Sequence, residues 1–206
     1  MSLTQSHQST FSGEAQLWQS FIADDEAALR KIMEGFYATL TNYASKYTKD
    51  KEIVKDCIQE LFIDLWYKRH QLPIPDSVKA YLLTSLRRRL LRQLRKSVFL
   101  TQSIFLTDDE FFQFETSPDL ILIERESIAR QATQIAHQLN QLPQRQREII
   151  YLKYYQNLKR DEIAEVMGIT KQSASNLLQN ALSALRQALP SNLYFSLLVF
   201  LTLYIN

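Results

Sequence analysis

Residues 161–189 read DEIAEVMGITKQSASNLLQNALSALRQAL, and this stretch decides the fold class. A short segment of helical pattern, Asp161 to Met167, runs into Gly168, whose backbone accepts a left-handed turn without penalty. Thr170 can then cap a helix over Lys171 to Leu189, because its hydroxyl can accept from a free amide of the first turn. Ala174, Leu177, Leu178, Ala181, Leu182 and Leu185 recur at helical spacing and give that helix one buried stripe. Short helix, glycine turn and long helix make a helix-turn-helix. In such a unit the exposed N-terminal residues of the second helix enter the DNA major groove, so Lys171, Gln172, Ser173, Ser175, Asn176 and Gln179 are the expected readers. Glutamine and asparagine can bond the edge of adenine, and lysine can reach guanine or phosphate. A plain helical hairpin with a solvated face has the same spacing, so the pattern does not decide function alone.

Working outward, Pro143 divides two further helical segments, Glu126 to Leu142 and Gln144 to Tyr155. The whole chain favours helices: 3 glycines and 5 prolines in 206 residues leave little material for a strand-and-turn architecture. At 46% hydrophobic it can build packed cores. The expected fold is all-α, in two small helical domains joined by a linker. The polar stretch 1–13 is expected to be disordered, 14–97 to form an N-terminal helical bundle, 98–125 an acidic linker, 126–190 the helix-turn-helix domain and 191–206 an apolar tail. Pro73 and Pro75 end the first run of helix near Leu72, and Asp76 or Ser77 can cap the next.

Within the first bundle, Ile53, Val54, Cys57, Ile58, Leu61, Phe62, Leu65 and Trp66 form one wide apolar face. Asp56, Glu60, Ile63 and Tyr67 fall on the opposite stripe with Gln59 beside them, an acidic and aromatic surface suited to a partner helix. The net charge of +2 announces no nucleic-acid partner, so the argument rests on where the charges sit. Ser77 to Thr107 holds no acidic residue, whereas Asp108 to Glu126 is strongly acidic. Arg87, Arg88, Arg89, Arg92, Arg95 and Lys96 crowd one helix whose other side carries Leu83, Leu86, Leu90 and Leu94. Cations so close together repel unless an anion faces them, which favours a phosphate partner.

The lone Cys57 and the scattered His7, His70 and His137 offer neither a disulfide nor metal-ligand spacing, so no metal and no cofactor are expected. Met1 to Gly13 lacks the apolar run of a signal peptide, which points to the cytoplasm. No glycine-rich phosphate loop or nucleophile with a base is present, so neither an enzyme nor a small-molecule substrate is expected and no residue is assigned a catalytic role.

Asp56, Gln59, Glu60, Phe62, Leu65 and Trp66 match the pattern D-x-x-Q-E-x-F-x-x-L-W, and Leu142 to Ile150 with Asp161 to Glu165 and Gly168 to Thr170 matches a second one. Together they closely resemble extracytoplasmic-function sigma factors of the sigma-70 family. That resemblance implies a bacterial sigma factor that binds core RNA polymerase, recognises promoter DNA and helps to melt it. It implies further that Asp56, Gln59, Glu60, Ile63 and Tyr67 grip the clamp helices of the largest polymerase subunit. The basic helix then neutralises promoter phosphates, and the loop Gln71 to Ser77 captures an extruded base by binding energy alone. Arg88 and Arg92 stand where many members carry Asn and Asp, and Ser175 and Asn180 where basic residues are common, so no promoter sequence carries over.

Leu193 to Ile205 is almost wholly apolar but shorter than the roughly 20 residues that span a bilayer. An exposed run of this kind is expected to pack on the protein, associate with a membrane surface, or dock to a regulator such as an anti-sigma factor, soluble or membrane-bound. Two readings from other classes compete: a helix-turn-helix regulator acting without polymerase, and a sigma-like adaptor. The Asp56 to Trp66 pattern speaks against the first.

Overall fold

The structure is a computed structural model and describes residues 3–100, 112–114 and 126–190. Every regular element in these residues is helical, as expected. The chain divides into two compact units, 1–102 and 103–206. Most of the expected linker and all of the apolar tail lie outside the described residues.

The first unit holds α1 (Leu3–Ile22), α2 (Glu26–Ala44), α3 (Lys51–Lys68) and α4 (Val78–Leu100), with a 3-10 turn at Arg69–Gln71. Helix α1 begins inside the stretch whose composition suggests disorder. Trp18 and Phe21, both fully buried, fix its last turns, and once a helix is nucleated each further residue is added at little cost. Side-chain caps start the other three helices. Asp25 accepts from the amides of Ala27 and Ala28, Asp50 from Glu52 and Ile53, and Ser77 from Ala80 at 3.2 Å. Ile32 and Leu40 of α2, Ile58 and Leu61 of α3, and Leu82, Leu83, Leu86 and Leu90 of α4 meet in the core. Of the apolar face foreseen on α3, Ile53 and Trp66 are only half-buried. The Trp66 ring instead lies under the guanidinium of Arg69, 4.1 Å from its centroid.

The second unit holds α5 (Glu126–Gln141), α6 (Gln144–Ile150), α7 (Arg160–Met167) and α8 (Lys171–Ala188). Helix α6 continues into a π-helical turn, Tyr151–Tyr155, so the helix expected from Gln144 to Tyr155 is continuous but widens in its second half. Gly168 closes α7 at φ 63° and ψ 43°, and the Thr170 hydroxyl accepts from the Ser173 amide to open α8. Of the stripe expected on α8, Ala174, Ala181 and Leu185 are buried and Leu177, Leu178 and Leu182 half-buried.

Residues 112–114 fall within the expected linker yet belong to this core. Phe112 is fully buried, Phe114 nearly so, and both rings pack against Tyr151. The second unit also buries Gln144, Arg147 and Glu148, the polar first turns of α6. Arg147 donates to the carbonyl of Asn140 at 2.7 Å and so satisfies the end of α5.

Candidate polymerase and nucleic-acid interfaces

On α3 the spacing of the capped helix does what the sequence foretells. Val54, Cys57, Ile58, Leu61, Phe62 and Leu65 point inward, which turns Asp56, Gln59, Glu60, Ile63 and Tyr67 to solvent. Ile63 is 45% and Tyr67 77% exposed, a large apolar area for the surface of a small unit. Beside them lies a groove of about 580 Å³, whose far wall is Leu29, Met33 and Tyr37 of α2. The sequence reading missed that wall. Its signal was available, because Leu29, Met33 and Tyr37 recur every fourth residue along one stripe of α2. Burial pushes the Cys57 thiol upward, with Glu60 adding to the effect, so under the exposed stripe the cysteine is a neutral apolar group.

The six cations of α4 do not form one set. Leu86, Leu90 and Leu94 define its buried stripe; Arg88, Arg92, Arg95 and Lys96 are exposed away from it, while Arg87 and Arg89 flank it and are partly covered. Arg89, expected from the sequence to neutralise phosphate, is enclosed in ion pairs. Its side chain, 14% exposed, is ion-paired with Asp64 and, at 3.4 Å, with Glu60, both on α3. The Arg89 hydrogen bond holds the Asp64 carboxyl below the usual range. The balancing anions are therefore partly supplied from within, and the outward charge of α4 is smaller than a count of arginines suggests.

The loop ahead of α4 is also tied down. The Trp18 indole donates to the Pro73 carbonyl at 3.0 Å, and its ring meets Tyr81 of α4 edge-on, 5.2 Å between centroids. Between Pro73 and Pro75 this leaves Ile74 54% exposed.

In the helix-turn-helix, Lys171, Gln172, Ser173, Asn176 and Gln179 are exposed on one end of α8, as expected. Gln172 donates to the Asn176 amide oxygen at 2.9 Å, so the two amides are held side by side. Lys171 is paired with Asp161 of α7 at 2.6 Å, although both are largely exposed. Ser175 differs from the rest, being half-buried with its hydroxyl donating back to the Lys171 carbonyl. The sequence reading also passed over Lys153, Lys159 and Arg160. With Ser175 and Gln179 they rim a groove of about 380 Å³ floored by Ile163 and Leu178.

Among the described residues no group of three or more His, Cys, Asp or Glu side chains could hold a metal, and no helix is long and apolar enough to cross a membrane.

Comparison with known proteins falls on these same two units. Residues 32–98 match the family description Sigma-70 region 2, and residues 132–185 match Sigma-70, region 4. The RNA polymerase sigma factor SigV of Bacillus subtilis (strain 168) is 27% identical over 143 residues, which is 69% of this chain and 80% of that protein. SigZ of the same organism is 24% identical over 162 residues, 78% of this chain and 86% of that protein. Among solved structures, a co-crystal structure of the sigma factor RpoE with the anti-sigma factor NepR from Bartonella quintana matches with a TM-score of 0.56 at 20% identity. It covers 77% of this chain and 94% of that chain, a likeness of fold. Two regions of one family, in their proper order and together covering more than half the sequence, settle the matter: the chain belongs to the sigma-70 family of RNA polymerase sigma factors.

Proposed function

We propose that the first unit docks on core RNA polymerase through Asp56, Gln59, Glu60, Ile63 and Tyr67, and that the partner helix extends across the α2–α3 groove to Met33 and Tyr37. The observation that carries this reading is the exposed stripe of Ile63 and Tyr67 beside an apolar groove on a helix whose acidic residues face outward. Arg88, Arg92, Arg95 and Lys96 then neutralise promoter phosphates, with Arg87 at the margin. The loop Gln71 to Ser77, pinned by Trp18, receives an extruded base against Ile74, holding strands apart without nucleotide hydrolysis.

In the second unit Gln172, Asn176 and Gln179 read base edges. Lys171, Ser173, Lys159 and Arg160 contact the backbone around them. An anti-sigma factor is a fitting regulator, because a helix laid in the α2–α3 groove would deny that surface to polymerase; the solved relative was crystallised with such a partner.

The test is run-off transcription with purified bacterial core polymerase on a pool of promoter fragments, comparing wild type with the double variant Asp56→Ala, Gln59→Ala. Transcription that needs the added protein and collapses in the variant supports the reading. A folded wild type that stimulates no template overturns it.

A further inference from the structure

Helix α1 is followed by two aspartates with different partners. Asp25 caps α2, accepting from the amides of Ala27 and Ala28. Asp24 takes the left-handed backbone, φ 73°, that closes α1. Its amide donates to the Phe21 carbonyl at 3.2 Å and that of Asp25 to the Ser20 carbonyl at 3.1 Å, a paired pattern in which the left-handed position usually holds glycine. A side chain kept there against the backbone preference points to a task elsewhere.

That task lies at the end of α3. The Asp24 carboxylate accepts from Arg69 Nε, and His70 Nε2 lies 3.3 Å from the same oxygen. The Arg69 side chain, 21% exposed, also donates from Nη1 to the Trp66 carbonyl at 2.7 Å while its guanidinium covers the Trp66 ring. The backbone carbonyl of Arg69 accepts from the Leu72 amide at 3.3 Å, which sets the first bend of the loop Gln71 to Ser77. One residue on, the Pro73 carbonyl receives the Trp18 indole bond. Both ties come from the end of α1, and together they hold the entry of the loop as far as Ile74.

We infer that Asp24 is a positioning residue for strand separation: through Arg69 it holds the entry of the loop Gln71 to Ser77 in the conformation that receives an extruded base. Binding must offset the unstacking of that base, and a loop that has to be ordered at the moment of capture binds it less well. Freeing the backbone of a single loop residue lowers the competent fraction by about tenfold. Asp24 acts through Arg69, while Ile74 makes the contact.

This inference rests on the base-capture reading of the loop, and its test separates the two. Asp24→Gly keeps the left-handed turn and removes the carboxylate, so the bundle is expected to stay folded. Asp24→Asn keeps both the turn and an acceptor for Arg69 Nε. Ile74→Ala removes the proposed contact with the base and leaves the clasp intact. Three quantities are measured on the full chain: affinity for core polymerase, permanganate reactivity of unpaired thymines on a template that wild type transcribes, and hydrogen exchange of the Leu72 amide by NMR. For Asp24→Gly, core affinity is expected to be unchanged, Leu72 exchange to quicken about tenfold and strand opening to fall about tenfold. Asp24→Asn should stay within about threefold of wild type, since it loses only an exposed ionic contribution. Leu72 exchange at the wild-type rate in Asp24→Gly, or an asparagine variant as impaired as the glycine one, overturns the clasp. A loss of core affinity as large as the loss of opening shows general damage to the bundle and overturns the positioning role. If Ile74→Ala opens strands as well as wild type, or wild type opens no template, the base-capture reading has failed and the inference falls with it. If Ile74→Ala is impaired and Asp24→Gly is not, the reading stands and the inference alone is overturned.

Discussion

Replacing Arg89 by alanine tests whether a cation held in ion pairs within the bundle can be told apart from one proposed to contact DNA on the same helix. Arg89 is 14% exposed, and its carboxylate partners Glu60 and Asp64 are 64% and 42% exposed. Solvent screens pairs of that kind, so the ionic part is worth about 0.5–1 kcal/mol. Loss of the two buried methylenes beyond Cβ adds about 1.5 kcal/mol, for a total near 2 kcal/mol. Tryptophan fluorescence isolates the effect, because the chain has 2 tryptophans, Trp18 and Trp66, and both lie in the first unit.

Urea unfolding at pH 7 should therefore show the fluorescence transition of Arg89→Ala weakened by about 2 kcal/mol. The pH dependence adds a second check. A carboxyl with a lowered folded-state pKa, as Asp64 has, contributes stability that is complete above its unfolded value of about 3.9 and is lost as pH falls through the folded value. The gap between wild type and variant should thus narrow by about 0.5–1 kcal/mol in acid. In promoter binding Arg89→Ala should leave the salt slope unchanged, whereas Arg88→Ala, at an exposed position, should lower it by about 0.9 without altering stability. Equal stability of Arg89→Ala and wild type at pH 7, or a gap that persists unchanged at pH 3, would refute the assignment.

Trp18→Phe removes the donor to the Pro73 carbonyl and should cost the first unit about 1–2 kcal/mol, read by the fluorescence of the remaining Trp66; a loss below 0.5 kcal/mol would show that the loop needs no such tie. Gly168→Ala places a methyl where no atom lies within 4 Å, so only the left-handed backbone is strained, and thermal unfolding of the second unit should report a loss of about 1 kcal/mol, with a loss above 3 pointing to a clash instead. Asn176→Ala should cost about 1–3 kcal/mol at particular bases of the upstream element, and uniform weakening across a base-substituted panel would show a backbone contact instead. Burial pushes the Tyr151 phenol up to about 12, so its ultraviolet titration in the folded protein should begin well above that of a surface tyrosine, and ionisation near 10 would mean that the aromatic cluster is open.

What the sequence discloses is whatever depends on near neighbours. Thr170, Gly168 and Ser77 declare their caps and turn because each acts on residues within four positions, and Leu86, Leu90 and Leu94 declare their face by period alone. The outward residues of α3 follow from the inward ones by the same geometry. Residues 112–114 gave no such signal: two phenylalanines in an acidic, proline-containing stretch have no helical period, and Asn140 lies 26 positions away.

Arg89 shows where local reading stops short of a side chain's surroundings. A list of basic residues treats Arg87 to Lys96 as a single charge, yet Arg88 and Arg89 are adjacent, differ by 100° around the helix, and meet different surroundings. The helical wheel alone could have placed Arg89 at the edge of the buried stripe. It could not have placed Glu60 and Asp64 opposite, because those pairs span 29 and 25 residues and depend on how α3 lies against α4. The same contact makes the two surfaces interdependent, since Glu60 belongs to the proposed polymerase stripe and Arg89 to the basic helix. In the proposed reading, a partner cation that draws Glu60 away leaves Arg89 held by Asp64 alone.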